Sequence, residues 1–416
     1  FAYRQTFTYL GRTQQRCGAV CTLDVVPFGP RPGGGILPHE QTFSGPKEDR
    51  MALMKATAAQ LSPIFGLHPD DGGVATTLIR KVMASRAPDL TAHSSHDNVK
   101  NEVWTIDDAP SIAAYAKALE NEDIFIADGH HRYNTALNYL AHLESAHKLP
   151  PNHPAKRCMF VLVSMSDAGL VIGPTHRVLG GMKGYSIEAF IEASKGLLSV
   201  SPAPADTRRL EEAMMTSAPT SLPGHHASVF GLVDFKTGRN YVATLARQDP
   251  LKVKFPTKPL AWRELDVAII QHAIVEDVCQ PKLNNGEPVK WAFPHSVEEV
   301  LEIGQGKETG AGGGSGFAQL AIVVRPTPLA SVRSVSKANE LMPQKSTFFY
   351  PKLATGLFLA WLAHVIGLAP ISSKVRAWIL LGSTRMVMPA MSEGMRTGRR
   401  RLETWRKPFS NQPRMR

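Results

Sequence analysis

Hydrophobic and polar positions repeat along this chain with two periods. Ala2 to Tyr9 and Ala19 to Val26 alternate apolar with polar side chains, the period of a half-buried strand, and Gly11 lies between them as the turn of a hairpin. Pro27 to Pro38 is crowded with Gly and Pro and reads as loop. From Pro46 to Leu61, Met51, Met54, Ala58 and Leu61 fall on one helical stripe, and residues 73–84 and 109–120 give two more helical patterns. Between these two, Ala92 to Asn98 is polar and reads as loop. Ile124 to Ala127 is a short, continuous apolar run bounded by acidic residues, as a strand covered on both faces should be. It passes directly into a helical pattern from His131 to His147, with Tyr133, Ala136, Leu137, Leu140 and Ala141 on the apolar face.

Strand patterns return at Cys158 to Met165, Ser228 to Asp234, Tyr241 to Leu245 and Leu320 to Val324, with helical patterns at 186–197, 206–217 and 264–278 among them. Several strand pairs are joined by segments too short for a crossover helix. The predicted class is therefore α+β, a mixed sheet flanked by helices, and not a doubly wound parallel fold. A chain of 416 residues suits one large domain or two. The expected division is a site-bearing α+β region at 1–200, a second α+β region at 201–357, and an apolar then basic tail at 358–416. The run Leu353 to Pro370 is borderline in length for a membrane span, and a terminal core helix or an interfacial helix is the better expectation. The chain opens without Met and already inside a strand pattern, so an upstream extension is expected.

Charge changes the picture only at one end. Residues 371–416 carry 11 Lys and Arg against Glu393 and Glu403, so most of the net +11 sits there. The tail is suited to anionic surfaces, while nucleic-acid binding by the body is not expected. Cys17, Cys21, Cys158 and Cys279 are too few and too scattered for a disulfide framework. Phe1 to Tyr9 lacks the basic start and apolar run of a secretory signal, which leaves the cytoplasm as the expected location.

The residues best suited to chemistry are Asp128-Gly129-His130-His131-Arg132, where strand gives way to helix. Gly129 allows a positive φ and close approach of a ligand. The amides and dipole of the helix start attract anions, and Arg132 adds a fork-shaped donor. Asp128 beside such a site would hold a metal, orient a histidine or take a proton, and His130 and His131 would be held neutral by the helix terminus. The plain alternative is an N-capped helix with two surface histidines. A second cluster, His39-Glu40 with Lys47 and Arg50 at the next helix start, offers Glu40 as general base and His39, Lys47 and Arg50 as anion contacts. His176-Arg177 after Gly173-Pro174-Thr175, and Lys345-Ser346-Thr347, add two loops with cation and hydroxyl donors. The latter lacks the glycines of a phosphate loop.

The segments LPHEQTFSGPKEDRMALMKATAAQLSPIFGL, FIADGHHRYNTAL, GPTHRVL and MPQKSTFFYPKLATGL, with ELDVAIIQHAIVEDV before the last, resemble in content and order the bacterial and archaeal domain of unknown function (DUF) family 1015, over about Val20 to Leu357. Members of that family carry further residues ahead of this chain's first position and normally end soon after Leu357. The Asp128 to Arg132 turn is similar to that of free-serine kinases built on the ParB/sulfiredoxin fold. This second resemblance implies that Gly129, His130, His131 and Arg132 cradle phosphate, that Asp128 serves metal or substrate, and that ATP or ADP with Mg²⁺ are the helpers.

Two functions compete on this reading. One is a phosphotransferase or phosphohydrolase acting on a small hydroxy or amino-acid metabolite of the serine or phosphoserine class. The other is a non-catalytic protein that binds a nucleotide or phosphorylated metabolite. A third, metal-dependent hydrolysis with Asp128, His130 and His131 as ligands, requires two adjacent histidines to converge on one ion. The sequence does not indicate the oligomeric state.

Overall fold

A computed structural model describes residues 1–40, 45–146, 148–217 and 228–362, with the side chains of 45–48 left out of the description. These residues all fall in one compact unit, Phe1–Ile379; the second unit, Leu380–Arg416, lies outside the described residues. The strands in chain order are β1 (Ala2–Tyr9), β2 (Arg12–Asp24), β3 (Ile36–Leu37), β4 (Ala59–Gln60), β5 (Ile64–His68), β6 (Leu90–His93), β7 (Lys100–Trp104), β8 (Ile124–Asp128) and β9 (Arg157–Ser164). They continue as β10 (Val171–Gly173), β11 (Arg177–Gly180), β12 (Leu198–Pro202), β13 (Val229–Asp234), β14 (Arg239–Leu245), β15 (Lys290–Ala292), β16 (Ala318–Val323), β17 (Phe348–Tyr350) and β18 (Ala360–Trp361).

The fold is α+β with mixed sheets. An eight-stranded sheet has the order β3-β8-β5-β9-β2-β1-β7-β6, and a six-stranded sheet the order β12-β14-β13-β16-β11-β15. In the first sheet β3 runs parallel to β8 and β5 parallel to β9, while the other neighbours are antiparallel. A short turn at Gly11 joins β1 to β2 as an antiparallel hairpin, whereas the antiparallel pairs β2–β9, β1–β7 and β5–β8 and both parallel pairs join strands distant in the chain.

Helices α1 (Gly45–Thr57), α2 (Val74–Ser85), α3 (Ala109–Ala118) and α4 (His130–Ala146) belong to this first half. β8 shows why its sequence is continuously apolar. Ile124 and Ile126 pack with Tyr133 and Ala136 of α4, whereas Phe125 and Ala127 point the other way, into a cluster with Phe349, Leu357 and Phe358. A strand alternates its side chains, so burial on both faces demands an unbroken apolar run. β9 repeats the arrangement, with Cys158, Phe160 and Leu162 on the α4 side and Met159, Val161 and Val163 opposite.

Three expectations are adjusted. α1 ends at Thr57 because Ala58 takes φ 46°, and the chain then enters β4, so the helical stripe stops before Leu61. The polar segment after Ala92 begins inside β6. Residues 353–362, expected as the start of a terminal helix, instead bury Leu357, Phe358, Leu359 and Leu362 and form β18 against β4. The rest of that apolar run and the basic tail lie outside the described residues. Among the described residues no helix is long and apolar enough to cross a membrane.

Candidate functional site

Three chain segments meet at the carboxyl end of β8: the residues after β3, the turn from β8 into α4, and the loop on either side of β17. His39 ties them together. Its Nδ1 lies 2.7 Å from the Ile126 carbonyl and its Nε2 lies 2.8 Å from the Thr347 hydroxyl. A carbonyl only accepts, so the ring proton is on Nδ1, and Nε2 accepts a hydrogen bond from the Thr347 hydroxyl. Its backbone amide donates to His130 Nε2 at 3.2 Å, and its carbonyl accepts from the Met342 amide at 2.7 Å. The ring is fully buried, and burial lowers its pKa to about 4, so it is neutral at physiological pH.

The turn itself has Gly129 at φ 101°, a conformation strained for any other residue. A Cβ there would also lie 3.0–3.1 Å from the Arg132 guanidinium, which folds back over it. Arg132 donates to the Asp128 carboxylate at 2.8 Å and to the Pro63 carbonyl. Lys352 Nζ approaches the other Asp128 oxygen at 3.5 Å. Burial raises the Asp128 pKa, but Lys352 and Arg132 outweigh it, and the carboxyl is held below its ordinary value. His130, buried and already accepting from the His39 amide, has its pKa lowered well below normal, first by burial and then by the His39 ring 4.7 Å away. Neutral imidazole is thus the state of both rings.

Above this turn opens a cleft of about 370 Å³, lined by Glu40, Arg50, Ser62, Ala127 to Arg132, Lys345, Thr347, Lys352, Leu353 and Thr355. Glu40 accepts the Lys345 amide at 2.7 Å. Its burial pushes its pKa up, against the pull of that amide and of Lys345 and Arg177. Four cationic side chains, Arg50, Arg132, Lys345 and Lys352, therefore face two carboxylates, Glu40 and Asp128, whose environments shift them in opposite directions.

Of the residues named from sequence, Glu40, Arg50, Asp128, Gly129, His130, His131, Arg132, Lys345 and Thr347 line the cleft. His39, His176, Arg177 and Ser346 do not; they brace it from behind. Arg177 is 2% exposed and donates to the carbonyls of Thr175 and Lys345. His176 is fully buried, and its Nδ1 accepts the Val324 amide at 3.1 Å. The Ser346 hydroxyl donates to the Pro343 carbonyl. Arg177 stands on β11 between two neighbouring strands, and it and Ser346 spend their donors on backbone carbonyls, while the His39 ring is spent on the Ile126 carbonyl and the Thr347 hydroxyl. The side chain of Lys47 lies outside the description.

Sequence reasoning missed Lys352, Ser62 and Thr355 as lining residues, although all three sit inside the family motifs given above. It also missed what holds Lys352 in place. Arg16, 2% exposed on β2, donates to the carbonyls of Tyr350 at 3.1 Å and Pro351 at 2.7 Å, while Gln5 donates to that of Lys352 at 3.2 Å. Alternation puts Gln5 on the buried face with Tyr3 and Phe7, but nothing in β1 or β2 names the distant carbonyls that these two side chains serve. For a metal, the described residues contain no cluster of three His, Cys, Asp or Glu placed as ligands, and His130 Nε2 is occupied by an amide. The reading with Asp128, His130 and His131 as joint ligands is therefore not supported.

The family described as "Protein of unknown function (DUF1015)" matches residues 1–268. The chain belongs to this family. Lys345, Thr347 and Lys352 lie beyond the matched span. Among solved structures, a free serine kinase in complex with AMP is similar at 12% identity and a TM-score of 0.34, with 80% of this chain and 86% of that one covered. A conserved hypothetical protein from Pyrococcus furiosus is similar at 13% identity and a TM-score of 0.34, covering 81% and 92%. C-terminally truncated SbnI from Staphylococcus aureus gives 10% identity and a TM-score of 0.34, covering 81% and 85%. Comparison with curated proteins finds no match.

Proposed function

We propose that the cleft binds the phosphate of a small molecule and that the protein is a phosphotransferase or phosphohydrolase acting on a hydroxy or amino-acid metabolite of the serine or phosphoserine class. The observation that carries this is the convergence of four cations and the start of α4 on a space holding one carboxylate pushed up in pKa and one pushed down. Cations and helix-start amides stabilise the charge on a phosphoryl group in transit. Glu40, whose raised pKa brings it nearer neutrality, is the general base: it takes the proton of the acceptor hydroxyl as that oxygen forms a bond to phosphorus and the leaving oxygen departs with the old bond's electrons. Asp128, held ionised, orients Arg132 and Lys352. A nucleotide, ATP or ADP, is the phosphoryl donor that suits this charge. Mg²⁺ characteristically binds through one or two carboxylates plus substrate phosphates, and Asp128 would suit that donor set. When bound, the ion would neutralise phosphate charge.

Incubating the full chain with Mg²⁺, ATP or ADP and candidate hydroxy metabolites, followed by phosphorus NMR, tests this. Transfer to a hydroxyl is expected, with Glu40→Gln slowing it at least ~100-fold, the typical worth of a general base. Tight nucleotide binding without turnover would favour the regulatory reading, in which the same cations sense a phosphorylated ligand. If neither binding nor turnover occurs, the phosphate assignment fails.

A further inference from the structure

The cleft does not end at Arg132. Arg50, Ser62 and Arg132 also line a second, smaller pocket of about 90 Å³, completed by Leu53, Met54, Ala59, Gln60, Leu61, Ile64, Thr135 and Cys158. The two spaces share these three polar residues as their common wall. Beyond it the chemistry changes abruptly. The Gln60 amide is spent on β9, accepting the Met159 amide at 2.6 Å and donating to the Arg157 carbonyl at 3.2 Å. The Thr135 hydroxyl donates to the His131 carbonyl at 2.8 Å, and the Leu61 carbonyl accepts the Gly356 amide at 3.0 Å. Burial pushes the Cys158 thiol up to about 12, so it is an apolar wall and not a nucleophile.

Resting on the phosphate reading of the cleft, we propose that this pocket holds a short branched aliphatic group of the same ligand. The ligand class is then a phosphorylated small molecule with a hydrocarbon side chain of four or five carbons. A heterocyclic base is disfavoured by the lining, since its ring nitrogens would be buried without partners, at a cost of ~1–3 kcal/mol each. The volume suffices: at ~10–15 Å³ each, a space of about 90 Å³ admits roughly six to nine water-sized groups, room enough for four or five carbons. A free serine side chain, with one carbon and a hydroxyl, would leave it unfilled, so within the hydroxy and amino-acid class proposed above this pocket selects a member with a larger side chain than serine's.

The test compares affinities of the full chain for inorganic phosphate, 3-methylbutyl phosphate and AMP by calorimetry, in the protein as it is and in Leu53→Trp and Met54→Phe. Leu53 is 51% exposed on α1, so its enlargement can fill the pocket mouth without disturbing the core, and a urea midpoint verifies folding of both variants. Each buried methylene is worth about fourfold in affinity, so the alkyl phosphate is expected to bind at least ~30-fold tighter than phosphate. In the filled variants the ratio of the two affinities should fall toward one. If phosphate binds but the alkyl chain adds nothing, or the gain survives filling, the side pocket is overturned while the phosphate reading stands. AMP gaining more than the alkyl phosphate, with that gain lost on filling, overturns the aliphatic assignment. Absence of binding by every probe overturns both.

Discussion

Two histidine-arginine pairs invite comparison: His131-Arg132 at the start of α4 and His176-Arg177 at the start of β11. Each follows a glycine-containing turn, and in sequence each offers donors to an anion, the first with a helix start besides. In the structure the first lines the cleft, while the second is almost wholly enclosed, with its guanidinium on two carbonyls and its ring on a backbone amide. What separates them is the element that follows. A helix presents its first turn to the space beyond its end, but a strand in the middle of a sheet has neighbours on both edges and packing on both faces. β11 lies between β16 and β15, and its side chains feed two different apolar clusters. Arg177 nonetheless acts on the site at one remove, by holding the Lys345 carbonyl and by facing Glu40.

The largest effect that would sharpen this contrast is on stability. Arg177→Met leaves the Thr175 and Lys345 carbonyls without their charged donor and should cost ~3 kcal/mol or more, read from urea unfolding. Arg132→Met should cost roughly a third of that and instead weaken phosphate binding. Equal stability losses at both positions would erase the distinction.

Next comes pH. Burial lowers the folded-state pKa of His39 to about 4 and of His176 to about 3, from an ordinary value of 6.5. Below ~6.5 the unfolded chain takes up protons that the folded chain refuses, so stability is full above that value and declines through the window down to about 4 and then 3. Glu40, raised in the fold, works the other way: its charged form costs stability above the ordinary carboxylate value. The net expectation is an unfolding midpoint that falls between pH 7 and 5, with a shallower fall in His176→Gln. A midpoint independent of pH over that range would contradict neutral, buried rings.

The smallest effect is on affinity alone. Lys352 is half exposed, so Lys352→Met should leave the unfolding midpoint nearly unchanged yet weaken inorganic phosphate binding about fivefold, as measured by phosphorus NMR titration. Unchanged phosphate affinity would remove Lys352 from the site.

Much of the local structure was legible beforehand because it follows from nearest neighbours along the chain. The alternation of Ala2 to Tyr9, the unbroken apolar run of β8 and the helical face of α4 each announce how they are covered. Gly129 before a helix, with carboxylate, imidazole and guanidinium around it, likewise pointed to a candidate site without reference to anything distant. Only the tertiary structure decided which other residues join it. Glu40, Lys345 and Lys352 come from opposite ends of the described chain, and one buried histidine and one buried arginine fix their meeting through hydrogen bonds to backbone. The physical reason is that a polar side chain reads the same in sequence whether it faces a ligand or a carbonyl. Local periodicity sets an element's apolar face, but the partner of a long-range hydrogen bond is chosen by how sheets and loops stack, and no single segment encodes that.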